Sequence, residues 1–142
     1  MMKIYLFSMF LILVGCSNPR NIDLNKVEDF SKNEPKIFIP NAGCPGCISL
    51  AEEFLLKNKG SNCVSFILVN VLSEKQLKIK LGYDVLDHFN IKVQHGEIFD
   101  DYGVSGFYPF IVYSSGEVDE ISSVNESSLD KLEEYLKNNC SL

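Results

Sequence analysis

Cys44 and Cys47, separated by Pro45 and Gly46, are the residues of this chain best placed to do chemistry. An apolar run, Lys36 to Pro40, turns through Asn41, Ala42 and Gly43 into the two cysteines, and a helical pattern follows to about residue 59. Residues three apart on a first helical turn share a face, close enough for their sulfurs to bond without moving the backbone. The pair reads as a redox dithiol. Proline is tolerated at the first helical position, where its missing N–H has no intrahelical partner, so Pro45 fixes Cys44 just ahead of the helix. Unpaired N–H groups and the positive end of the helix dipole favour a thiolate there. Cys44 is therefore the expected nucleophile, and Cys47, one turn in, the resolving thiol.

The elements that must position this pair follow from hydrophobic period. After the dithiol, Ile48, Leu50, Ala51, Phe54 and Leu55 give a helical apolar face that ends near Gly60, with Glu52, Glu53, Lys57 and Lys59 on the solvent side. Val64 to Val71 is a nearly continuous β-branched run, which suits a strand buried on both faces of a parallel sheet. Residues 73–89 read as mostly helical, with Leu77, Leu81, Val85 and Phe89 four apart and Gly82 as a break. Ile91 to Gln94 reads as a short strand, and Phe110 to Tyr113 and Val118 to Ile121 as a hairpin across Ser114, Ser115 and Gly116. A last helix over 127–138 carries a Ser127…Asp130 start signal and aligns Leu129, Leu132 and Leu136.

The N-terminus speaks to location. Lys3 precedes an almost wholly apolar stretch, Ile4 to Val14, and Leu13, Val14, Gly15, Cys16 closes it. The stretch is well short of the roughly 20 residues that span a bilayer, so a cleaved export signal over 1–15 is expected. The closing residues resemble the lipobox of bacterial lipoproteins, in which the cysteine sulfur receives a diacylglycerol; the resemblance makes Cys16 the lipidated first residue of the mature chain. Each buried acyl methylene contributes about 0.8 kcal/mol, so two or more chains hold a protein on a membrane stably. Ser17 in place of Asp favours, by the same resemblance, the outer membrane. Residues 16–35 form a polar tether, in which Leu24, Val27 and Phe30 at helical spacing could form a short helix.

The remaining residues, 36–142, have the length of one domain, and no internal repeat interrupts them. Hydrophobic residues are 46% of the chain and charged residues 23%, the balance of an ordinary globular protein. The formal charge of −6 and the absence of a basic cluster argue against nucleic acid and against an electrostatic hold on anionic lipid.

Strand, helix, strand, helix, hairpin, helix, with Cys-x-x-Cys at the first helix start, resembles the thioredoxin-like family over roughly 36–140. The family implies an α/β fold, a central mixed sheet flanked by helices. A second landmark, Gly103 to Tyr108 followed by Pro109 and the strand Phe110 to Tyr113, resembles the family's proline beside the dithiol, which implies a cis bond before Pro109. Cis costs only about 0.5 to 1 kcal/mol before proline and several times that before other residues. The resemblance makes Cys44, Cys47 and Pro109 the catalytic set. It also makes Tyr108, whose backbone would pair with an extended substrate segment, and Gly43 the substrate-contacting positions. Gly43 stands where thioredoxin has Trp, Pro45–Gly46 replaces Gly–Pro, and Phe38 stands where thioredoxin has an acid that aids proton transfer. These departures leave the redox potential and the direction of electron flow open. The stretch between Val71 and Pro109 is longer than in minimal thioredoxin and is similar to membrane-tethered, cytochrome-maturation-type members.

The inferred fold also brings Cys63 and Cys140 to the sheet end opposite the dithiol, which implies a structural bridge between them; two unpaired buried thiols are the alternative. The activity implied is thiol–disulfide exchange with exported proteins from the periplasmic face of a membrane. It needs no bound cofactor and no nucleic acid, and it implies a membrane redox partner to recycle the pair. Two other readings stand beside it. One is a redox-silent binding module that docks partners on Phe107, Tyr108 and Phe110. The other is a copper-handling protein that adds a histidine, His95, to the cysteines, as some thioredoxin-fold proteins do; otherwise His88 and His95 read as exposed loop or helix-edge residues. Structural zinc would need paired ligand spacing that Cys63, Cys140, His88 and His95 lack.

Overall fold

The computed structural model describes residues 33–96, 99, 103–124 and 127–140. The expected signal segment over 1–15, Cys16 and the expected tether as far as residue 32, with Leu24, Val27 and Phe30, lie outside the described residues. The elements run β1 (Lys36–Pro40), α1 (Pro45–Asn58), β2 (Ser65–Val69), α2 (Glu74–Leu81), one 3-10 turn (Val85–Asp87), β3 (Ile91–Gln94), β4 (Phe110–Val112), β5 (Val118–Glu120) and α3 (Ser127–Asn139).

The strands form a five-stranded mixed sheet in the order β3-β2-β1-β4-β5. β1 and β2 pair in parallel, as do β2 and β3, whereas β4 lies antiparallel to β1 and β5 antiparallel to β4. β1 and β2 are buried along their whole length, so their sequences need no polar face. Their side chains alternate between two cores. Ile37, Ile39, Phe66 and Leu68 join one, and Phe38, Ile67 and Val69 join the other with Phe110 and Val112 of β4.

The first core holds the apolar faces of α1, α2 and α3: Ile48, Ala51, Phe54 and Leu55 of α1, Leu77 and Leu81 of α2, and Leu132 of α3, with Leu129 and Leu136 packed against it. The second core, on the other face, packs against Val104 and against Phe99, which is itself helical. α1 and α2 share a side because the crossovers from β1 to β2 and from β2 to β3 step the same way, and such crossovers are right-handed.

Gly82 breaks the helical stretch over 73–89, as expected: α2 stops at Leu81, where Gly82 takes φ 113°, and only the turn Val85–Asp87 follows. Phe89 is consequently 65% exposed. Glu52, expected in solvent, is only 9% exposed and takes a hydrogen bond from Lys80 at 2.5 Å, tying α1 to α2.

Candidate functional site

The parallel strands β1, β2 and β3 end together at Pro40, Val69 and Gln94, and the loop leaving β1 carries the cysteines at that edge. The carboxyl ends of parallel strands are where α/β sheets place their ligand sites. Asn41 N–H donates to the Val69 carbonyl at 3.0 Å, which holds the loop to β2 as it turns.

Cys44 is the residue capping α1, with extended φ −67° and ψ 107°, and Pro45 opens the helix. Its Sγ accepts a hydrogen bond from Cys47 N–H at 3.4 Å. Cys44 and Cys47 form a disulfide, their Cα atoms 5.3 Å apart. Their exposures differ sharply: Cys44 is half-buried and Cys47 is 0% exposed. An incoming sulfur can therefore reach Cys44 and not Cys47, which matches the roles of attacked and resolving atom.

Two loops close on the pair. The carbonyl of Phe107 accepts a hydrogen bond from Cys44 N–H at 2.9 Å. Gly43, at φ 148°, permits this approach: a Cβ there would lie 2.1 Å from the Phe107 carbonyl oxygen. From the other side, Ser123 N–H donates to Cys47 Sγ at 3.4 Å. The two loops are tied to each other where Ile121 N–H donates to the Pro109 carbonyl at 2.7 Å.

Of the residues singled out in the sequence, Gly43, Cys44 and Cys47 come together with the backbone of Phe107, two positions ahead of Pro109. Pro109 is buried, and the bond before it is trans, as every described peptide bond is, so the cis expectation is corrected. Trans is the lower-energy isomer of an X–Pro bond. Tyr108 is half-buried and meets Phe107 edge-on, ring centroids 5.0 Å apart. Phe107 is 50% exposed and Val124, next to Ser123, 95%, so both loops carry an exposed apolar residue. Phe110, read as part of a docking surface, is instead fully buried and stacks on Phe38 at 4.7 Å. Phe38 is thus a core residue of the second layer, offering the dithiol no proton.

Cys63 and Cys140 form a second disulfide, Cα atoms 6.1 Å apart, joining the start of β2 to the end of α3. His95 lies just beyond β3, with Nδ1 2.9 Å from the Val71 carbonyl oxygen and Nε2 3.3 Å from Glu74. His88 lies 3.9 Å from Asp84. Among the described residues no three His, Cys, Asp or Glu side chains gather as a metal site would require. No helix among them is long and apolar enough to cross a membrane.

Groups with displaced pKa lie away from the dithiol. Burial lowers that of Lys36, the first residue of β1, and burial followed by the charge of Asp119 pushes the Tyr113 phenol up to about 12. Sequence reading missed the Phe107 carbonyl and the Ser123 N–H because both are backbone groups, which carry no residue-type signal. The glycine at 43 was the one visible trace of the close approach. No family model matches the chain and no curated protein matches it, so the geometry of the dithiol and the sheet that holds it carry the functional reading.

Proposed function

We propose that this chain is a thioredoxin-like thiol–disulfide oxidoreductase, exported and anchored through lipid on Cys16, that exchanges disulfides with exported proteins at the periplasmic face of a membrane. The observation that carries the reading is the asymmetric disulfide at the head of α1: a reachable Cys44, capped by Cys47 N–H, bonded to a fully buried Cys47. A mixed sheet with β1 at its centre and the pair at the strands' carboxyl edge is compatible with that family's fold.

In the reducing direction the Cys44 thiolate attacks a substrate disulfide, forms a mixed disulfide and expels one substrate thiolate. Cys47 then attacks Cys44 Sγ, re-forming the Cys44–Cys47 bond and releasing the second thiolate. In the oxidising direction the same steps run backwards. Apocytochrome thiols, oxidised exported proteins and another thioredoxin-like relay are the candidate partners, and a membrane redox partner would recycle the pair.

Cys47→Ser removes the resolving thiol and should trap a mixed disulfide, visible as a reducible adduct on nonreducing gels and absent from Cys44→Ser. Repeated failure to capture any adduct would count against the enzyme reading. The binding-module alternative keeps one observation in its favour, the exposed Phe107 beside the pair, and predicts a disulfide that resists reduction below about −300 mV.

A further inference from the structure

We propose that Ser123 is a catalytic residue of this pair through its backbone: its N–H, 3.4 Å from Cys47 Sγ, stabilises the thiolate that Cys47 becomes when the disulfide opens. The inference rests on the dithiol being redox-active.

The two sulfurs need different help. Cys44 is half-buried, caps a helix and has the Cys47 N–H, so a thiolate there meets water and a donor. Cys47 is 0% exposed, and a charge without water or a hydrogen-bond donor is costly in such a place. Its own N–H is turned to Cys44. Phe38, where the family places an acid, contributes none, leaving the loop after β5 to supply the contact.

The chemistry is balanced without further reagents. When a thiolate R–S⁻ attacks Cys44 Sγ, the R–Cys44 bond forms, the Cys44–Cys47 bond breaks, and the electron pair passes to Cys47 Sγ. Ser123 N–H faces that sulfur at the moment it takes the charge. The thiolate then attacks Cys44 Sγ and expels R–S⁻, or a second R–S⁻ attacks the R sulfur, giving R–S–S–R and the Cys44 thiolate.

The loop is held for this task from both sides. Ile121 N–H is bonded to the Pro109 carbonyl at 2.7 Å, and Ser128 Oγ donates to the Glu120 carbonyl at 3.1 Å. The contact to Cys47 Sγ is made by the Ser123 N–H, so the amide is the working group.

Two measurements on the mature chain decide it. Exchange with glutathione thiolate at fixed pH should be about tenfold slower in Ser123→Pro, which lacks the N–H, than in Ser123→Ala, which keeps it. A folded Ser123→Pro that exchanges at the Ser123→Ala rate overturns the proposal. The second measurement needs no proline: Cys44→Ala and Cys47→Ala both lack the disulfide, but only the first keeps the acceptor sulfur. The Ser123 amide should exchange with deuterium about tenfold faster in Cys47→Ala than in Cys44→Ala, and equal rates overturn the proposal. A wild-type pair that no dithiothreitol buffer reduces removes the proposed function and this inference with it; a reducible pair that fails either measurement removes the inference alone.

Discussion

Gly43→Ala should be the most damaging single methyl addition beside the dithiol. The backbone there has φ 148°, where an L side chain is strained, and the new Cβ would lie 2.1 Å from the Phe107 carbonyl oxygen and 2.9 Å from its carbon. Holding such a backbone angle costs about 1 to 3 kcal/mol. Relieving the overlap moves Phe107 away from Cys44 and strains or breaks the 2.9 Å hydrogen bond between them, which contributes about 0.5 to 1.5 kcal/mol net. Because one movement relieves both strains, the contributions do not simply add, and a loss of about 3 kcal/mol is expected. Against a total stability of about 5 to 15 kcal/mol the variant still folds. In urea, with a slope of about 2 kcal/mol per molar, the midpoint should fall by about 1.5 M. Gly46→Ala is the control, since its Cβ would only touch the Ser123 side chain at 3.5 Å, an ordinary contact, and alanine favours a helix. A midpoint for Gly43→Ala within about 0.3 M of wild type, at unchanged slope, would refute the close approach of the two loops.

Removing the second disulfide, as Cys63→Ser with Cys140→Ser, should cost about 4 to 5 kcal/mol by loop-closure entropy for a sequence separation of 77, measured by urea unfolding of the oxidised chain. Because the Tyr113 phenol is raised to about 12 in the fold and titrates near 10 when unfolded, its contribution to stability is fully present below pH 10 and is lost as pH rises toward 12. Denaturation midpoints followed from pH 9 to 12 should therefore drop less in Tyr113→Phe than in wild type; parallel curves would show that burial does not govern this group. Equilibration of the Cys44–Cys47 pair with thiol buffers gives the direction of electron flow: a value near −270 mV makes the protein a reductant, and one near −120 mV an oxidant.

Much of the scaffold was legible in residue order. Ile37 to Pro40 and the nearly continuous apolar run Val64 to Val71 declare themselves as strands, and Pro45 marks the first turn of α1 because the N–H groups there have no intrahelical partner to lose. Gly82 announces the end of α2. Where the reading failed, a neighbour distant in sequence had intervened. Glu52 is drawn in by Lys80, and Phe110 is turned inward onto Phe38.

By itself, then, the sequence determined the chemistry available at Cys44 and Cys47, because spacing on one helical turn and a proline at its start are local properties. It also determined which runs must be buried. Only the tertiary structure decided what surrounds the sulfurs. The Phe107 carbonyl and the Ser123 N–H arrive from loops 63 and 76 residues away, through backbone atoms that every residue possesses and no side-chain pattern can betray. It likewise put α1 and α2 on one face of the sheet, since the handedness and direction of the crossovers, not the composition of either helix, choose the side.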